Sequence, residues 1–253
     1  IVLMERDVEA IAACVSCFLS HSIYVPLEVE DPIDRIKYII EDSDPKVILC
    51  DDHTERRLAL NAPDLLSSLT VINVSRFDWK EHNSIDGFKL EEELFSLSSL
   101  LKTKELGYMI YTSGTTGRPK GVLIPEENLN DLMEWTLDHT LAAKTKKTLQ
   151  FYSHGFDPSL LEIFSTLLAA QELIIAGGHL KKDLEQLVHK IVDFKIERLF
   201  IPISLVQMIA DEFQDSDLFR NNSHLKEINC GGDRMVISAS LRKWVKNINN
   251  SRK

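Results

Sequence analysis

The sequence has no run of about 18 apolar residues, the length a membrane-crossing helix needs, and no membrane partner is expected. It also lacks an excess of positive charge. Against 39 acidic side chains stand 29 basic ones, a formal net charge of -10. That balance argues against non-specific binding to nucleic acid or an anionic membrane, which would need a basic face. A small phosphate ligand stays open, because local amides and one or two cations suffice to hold it. Cysteine is scarce, with 4 in 253 residues, which argues against a disulfide scaffold and for a reducing compartment. There is no internal repeat and no low-complexity linker, and a secretory leader is not expected in the given residues, since Glu5, Arg6 and Asp7 bring charge too early. A cytoplasmic location is expected. The missing initial Met and the polar run Lys246–Lys253 give the expectation of a piece cut from a longer protein.

What is present is a globular balance of 44% hydrophobic and 27% charged residues. Short apolar runs alternate with helical patterns, which predicts an α/β fold of layered helices and mostly parallel sheets. Strands are expected at Lys46–Cys50, Thr70–Val74, Gly107–Tyr111, Glu172–Ala176 and Arg198–Ile201. Leu184, Leu187, Val188, Ile191 and Val192 share one helical face. With strands on both sides, that helix implies a crossover between parallel strands. Further helices are expected from Pro158 and from Ser238, the latter as N-cap. The polar stretch Phe77–Thr103 reads as the connection between two halves. Cys14-Val15-Ser16-Cys17 has redox or zinc spacing, but it lies in an apolar helix and no second Cys/His pair follows; buried small side chains are expected. Lys144, Lys146 and Lys147 read as a solvated helix end, and Trp79, Trp135 and Trp244 as packing residues.

One segment concentrates chemistry. Tyr111-Thr112-Ser113-Gly114-Thr115-Thr116-Gly117-Arg118-Pro119-Lys120-Gly121 follows an apolar strand and carries three glycines, four Ser/Thr hydroxyls and two cations. Glycine allows positive φ and close backbone approach. Successive free amides make an anion-binding concavity, and Lys120 and Arg118 add charge for phosphate oxygens. The bland alternative is a Gly/Ser/Thr-rich surface turn, which would not require so many donors. It is not a Walker A loop, because Gly121 follows Lys120 and Pro119 stands where a glycine belongs. A P-loop NTPase is disfavoured on that ground.

The stretch Leu106–Val122 resembles the AMP-binding signature of the adenylate-forming superfamily, which includes nonribosomal peptide synthetase adenylation domains, acyl-CoA synthetases and luciferases. Three further segments agree in order. Ser22–Leu27 with Asp31-Pro32-Ile33-Asp34-Arg35 is similar to the "AYVPLD…P…R" core, although Leu19-Ser20-His21-Ser22 replaces its usual Lys-Ala-Gly-Gly. Phe156–Phe164 resembles "FDxSxxEIF", and Asn229-Cys230-Gly231-Gly232-Asp233 resembles the "GGE" turn. The resemblance covers essentially the whole chain but only about half of a complete family domain. It implies a partial adenylation domain, with residues 1–103 from a first lobe portion and 104–253 from a second.

From the resemblance, Thr112, Ser113, Gly114, Thr115, Thr116, Gly117 and Lys120 are expected to hold the β- and γ-phosphates of ATP, and Gly231, Gly232 and Asp233 to border the adenine and substrate. Asp157 indicates the amino-acid-activating branch, where an aspartate here pairs with the substrate's α-ammonium group; a partly desolvated ammonium calls for such a partner. Asp157 before Pro158 is also a good helix N-cap with Pro at N1, and the two roles can coexist. Pro158, Leu161, Phe200 and Asn229, with Gly231, fall at specificity positions; Phe200 could equally be core. His154 reads as structural or exposed.

The implied reaction is attack of an amino-acid carboxylate on the α-phosphorus of ATP, with Mg²⁺, giving aminoacyl-AMP and pyrophosphate. The aminoacyl group would then pass to the phosphopantetheine of a carrier domain, in an assembly line that also contains condensation domains. No "Tyr-Gly-Pro-Thr-Glu" core follows Asp233, and the family's ribose-binding aspartate and catalytic lysine find no match. No catalytic residue or metal ligand is therefore assigned, and the isolated chain is expected to be inactive. An acyl- or aryl-CoA ligase fragment and a non-catalytic remnant of the fold are the competing readings.

Overall fold

A computed structural model describes residues 1–77, 106–113, 118–177, 183–222, 224–232 and 234–250. They group into two units: Ile1–Glu134 with Ser153–Asp157, and Trp135–Tyr152 with Pro158–Lys253.

The first unit opens with β1 (Val2–Leu3), α1 (Val8–Leu19), β2 (Pro26–Leu27), α2 (Ile33–Ser43), β3 (Val47–Cys50), α3 (Asp52–Asn61), α4 (Pro63–Ser68) and β4 (Thr70–Asn73). The strands form one parallel sheet in the order β2-β1-β3-β4, with helical connections between successive strands. Asp7 caps α1 by accepting the Ala10 N–H at 2.9 Å. Asp51 caps α3 through the Thr54 N–H, and its other oxygen takes the Glu5 N–H at 2.7 Å. The helices bury Ile36, Ile39, Ile40 and Leu58 against Leu3, Leu27, Ile48 and Cys50.

Next come β5 (Leu106–Ser113) and β6 (Pro119–Pro125), an antiparallel hairpin, and α5 (Glu126–His139), within which the unit boundary falls. The phosphate-loop candidate thus joins strand to strand, as its sequence implies. The hairpin groups with the N-terminal residues rather than with the chain after residue 104, where the sequence reading put it. The cause is direct bonding. Tyr24 donates its N–H to Gly107 O and accepts the Met109 N–H, both at 2.9 Å. The Tyr111 hydroxyl donates to Asp42 Oδ2 at 2.7 Å, and Tyr111 is itself buried with the sheet's apolar core. The expected connection from Phe77 to Thr103 lies, beyond Phe77, outside the described residues.

The second unit contains β7 (Lys147–Gln150), α6 (Pro158–Leu168), β8 (Glu172–Ile175), α7 (Leu184–Asp193), β9 (Arg198–Phe200), α8 (Ile203–Phe213), α9 (Asp217–Asn222), β10 (Glu227–Asn229) and α10 (Ala239–Asn250). Its sheet is again all parallel, ordered β10-β9-β7-β8. The expected crossover is α7: Asp183 caps it through the Gln186 N–H, and Leu187, Val188 and Ile191 are buried. Ser238 caps α10, its Oγ accepting the Leu241 N–H at 3.1 Å. Trp244 is fully buried, edge-on to Phe219 at 5.3 Å.

Two sequence readings change. Lys144 closes a 3-10 turn, but Lys147 begins β7 and pairs with Glu172 of β8 at 3.2 Å, so the basic cluster is not a helix end. Trp135 is 56% exposed and stacks on His139 rather than packing inside; Trp79 lies outside the described residues. His154 is buried.

Candidate functional site

The first unit holds a cavity of about 630 Å³. Its walls come from four places. The carboxyl end of β2 and the turn into α2 give Glu28, Asp31 and Arg35; β5 gives Tyr108, Tyr111, Thr112 and Ser113; β6 gives Val122 and Ile124; and the segment after Tyr152 gives Ser153, Gly155, Phe156 and Asp157. Ligands in open parallel sheets sit beyond the carboxyl ends of the strands, which is where Glu28 and Asp31 stand relative to β2.

The hairpin brings its polar end to this cavity. Thr112 pairs with Lys120 and Ser113 with Pro119, so both hydroxyl residues sit at the loop end of the stem. Lys120 is exposed and directly across from Thr112, but it is not part of the cavity wall. Gly114, Thr115, Thr116 and Gly117 lie outside the described residues. Gly121 shows why the stem needs glycine: a Cβ there would stand 2.6 Å from the Met109 sulfur and 3.0 Å from the Tyr111 ring.

Asp157 is exposed and lines the same cavity as Thr112 and Ser113. Its segment is fastened by the Gly155 N–H, which donates to Glu28 Oε1 at 3.1 Å across 127 residues of chain. The Tyr108 hydroxyl lies above its ordinary pKa, pushed up first by burial and then by the negative charge of Asp157. Tyr111 is raised the same way, by burial and by Asp42. The exposure of Asp157 differs from the partly desolvated setting expected for it.

The other predicted residues belong to the second unit. Pro158 opens α6, and Leu161 is half-buried within it. Phe200 is buried in β9, its ring under the Arg198 guanidinium at 4.5 Å, as a core residue would be. Asn229 ends β10, and its Nδ2 is buried without a hydrogen-bond partner among the described residues. Gly231 and Gly232 are exposed, and Gly232 has φ +90, which favours glycine. Asp233 lies outside the described residues. The unit has an apolar cavity of about 600 Å³, lined by Cys230, Met235, Ile237 and Trp244 among others but by none of these predicted side chains.

Sequence reading missed Glu28, Asp31 and Arg35 as cavity residues. They stand in or beside the matched segment Asp31–Arg35, yet only the rule about strand carboxyl ends could have singled them out. Among the described residues no group of three His, Cys, Asp or Glu side chains is placed to hold a metal ion. No helix among them is long and apolar enough to cross a membrane.

The described residues thus form two parallel α/β units, and in the first the hairpin residues Thr112 and Ser113 open on a cavity. The family model described as AMP-binding enzyme matches residues 1–251, and the chain belongs to that family. It is 28% identical over 244 residues to tyrocidine synthase 2 of Brevibacillus parabrevis, covering 96% of this chain and 6% of that protein. Gramicidin S synthase 2 of Brevibacillus brevis matches equally, at 28% over 96% of this chain and 5% of its own length. The chain therefore spans a small part of these curated relatives. Among solved structures it is similar to holo-AB3403, a four-domain nonribosomal peptide synthetase bound to AMP and glycine, with a TM-score of 0.72 and 22% identity over 97% of this chain and 16% of that one. VinN in complex with L-aspartate gives 0.73 and 16% identity, over 98% of this chain and 59% of that one. The adenylation-domain fold is the fold of this chain.

Proposed function

We propose that this chain supplies the nucleotide-phosphate and amine-recognition parts of an amino-acid-activating site in a larger nonribosomal peptide synthetase. The observation that carries the reading is the single cavity lined by Thr112 and Ser113 at one wall and Asp157 at another. A phosphate grip and an ammonium partner in one chamber suit a substrate pair of ATP and an amino acid.

In this reading ATP enters as its Mg²⁺ complex. The hydroxyls of Thr112 and Ser113, the loop through Gly117 and the charge of Lys120 hold the β- and γ-phosphates, the future pyrophosphate. Asp157 holds the α-ammonium group, which leaves the substrate carboxylate free to attack the α-phosphorus. The bond to pyrophosphate breaks as the acyl–phosphate bond forms. The work is positioning and stabilisation of charge on phosphate oxygens. Pro158, Leu161, Phe200 and Asn229 stay the proposed selectors of the side chain, and the buried Nδ2–H of Asn229 is a donor to a polar one. Gly231, Gly232 and Asp233 stay the proposed border of the adenine. Transfer of the aminoacyl group to a carrier domain's phosphopantetheine, next to condensation domains, completes the proposal.

The test is pyrophosphate exchange by the intact protein against a panel of amino acids and of carboxylic acids without an amine. Exchange dependent on one or a few amino acids is expected. Exchange driven equally by des-amino acids would replace the reading with an acyl-CoA-ligase type of substrate.

A further inference from the structure

Arg35 received no role from the sequence, yet it is the one cation among the described residues lining the cavity; Glu28, Asp31 and Asp157 are its charged companions there. Those three carboxylates would oppose a polyphosphate, so the field that admits one must come from a cation close by.

The guanidinium is held in place by a chain of contacts. Arg57 donates Nη2–H to the Asp31 carbonyl at 2.6 Å, fixing the turn before α2. The Asp31 carboxylate, Oδ1, lies 3.3 Å from Arg35 Nε. Arg35 Nη2 reaches the carbonyl of Tyr111 at 3.4 Å, the residue before Thr112. Seven residues on, Asp42 of the same helix accepts the Tyr111 hydroxyl at 2.7 Å. The helix therefore grips the hairpin stem at both ends of Tyr111. Arg35 Nη1 has no partner among the described residues, and the side chain is 31% exposed. An oriented fork with one end spent on the protein and the other unspent is well suited to an anion.

We propose that Arg35 is a phosphate-contacting residue, its Nη1–H donated to the β/γ end of the nucleotide's polyphosphate beside Thr112 and Ser113. The inference rests on the reading of the cavity as a nucleotide site and adds to it a residue outside the hairpin.

The experiment measures the affinity of the intact protein for MgATP, inorganic tripolyphosphate and AMP, in wild type, Arg35→Met and Arg35→Lys. Loss of a charged hydrogen bond predicts that Arg35→Met weakens ATP and tripolyphosphate by about tenfold or more and leaves AMP within about twofold. Arg35→Lys keeps the charge but not the fork, so it should fall between. Equal weakening of AMP would assign Arg35 to holding the stem only and overturn the proposal, as would unchanged tripolyphosphate affinity. If Arg35→Met does not fold, Arg35→Lys decides by the same comparison with AMP. A wild type that binds neither ATP nor tripolyphosphate removes the nucleotide reading itself, and this inference with it.

Discussion

Glu162 Oε1 accepts the backbone N–H of Phe151 at 3.0 Å, joining α6 to the carboxyl end of β7 from a position with no solvent exposure. The same carboxylate takes the Tyr152 N–H at 3.1 Å and the Gln150 side-chain amide at 3.1 Å. A buried carboxylate is tolerable only with donors of this number.

Glu162→Ala should therefore remove the acceptor shared by these donors and lower stability by about 3 kcal/mol. Glu162→Gln keeps the shape but offers one acceptor oxygen, so it should cost less. Chemical denaturation of the two variants checks the order. Equal stability of wild type and Glu162→Ala would show that water replaces the carboxylate without loss.

Arg198 and Glu227 make a second buried arrangement, on neighbouring parallel strands. Arg198 is 1% exposed, donates Nε–H to Glu227 Oε2 at 2.7 Å and reaches Ser165 Oγ at 2.6 Å. Its guanidinium pKa is lowered by burial, and Glu227 counters that by favouring the charged form. Glu227→Ala strands a buried cation and should cost about 3 kcal/mol, whereas Arg198→Met with Glu227→Leu should restore much of it. A double variant as unstable as the single would mean that the pair's hydrogen bonds, and not the uncompensated charge, carry the energy.

These two clusters also mark what the sequence could and could not disclose. The face of α7 was legible because five apolar residues keep the helical period, and all of them pack on the second unit's core. β9 was legible as an apolar run, but its Arg198 reads as a surface residue until Glu227 is placed beside it. β7 was invisible: Lys147-Thr148-Leu149-Gln150 has one large apolar residue, and only its central place between β8 and β9 buries Thr148 and Gln150. β1 and β2 are two residues long, too short to show any period. In the candidate site the hairpin was legible from glycine, hydroxyl and cation density. Glu28, Asp31 and Arg35 were not, because single charges after a very short strand carry no pattern; chain topology gathers them.

The cysteines offer a test of the sequence reading against a redox or zinc role for Cys14 and Cys17. All four thiols are free; Cys14 and Cys50 are buried, while Cys17 and Cys230 are half-buried. Burial raises the pKa of each, that of Cys50 to about 12 with Glu55 adding to it. Since the thiolate is the reactive form, a raised pKa lowers reactivity at every pH below it. At pH 8 a thiol reagent should modify Cys17 and Cys230 first, with Cys14 and Cys50 reacting only on unfolding. Mass spectrometry of the native protein reads this directly, and rapid native labelling of Cys14 would contradict it.

The two substrates of the proposed reaction should separate at Lys120 and Asp157. Lys120 is exposed and pairs across the hairpin with Thr112, and the proposed function gives its charge to the nucleotide. Lys120→Ala should raise KM for ATP about tenfold, the worth of one charged contact, with little change in KM for the amino acid. Asp157→Ala should do the reverse, weakening amino-acid-dependent exchange about tenfold or more while ATP affinity holds. The exposure of Asp157 bears on the second case: a solvated carboxylate gives a modest electrostatic gain, and it becomes a strong partner only when the bound substrate excludes water from the cavity. The loss in Asp157→Ala should therefore be nearly insensitive to salt, unlike a surface ion pair. Steady-state exchange at low and high ionic strength distinguishes the two, and a loss that disappears at high salt would return Asp157 to the ordinary surface of the protein.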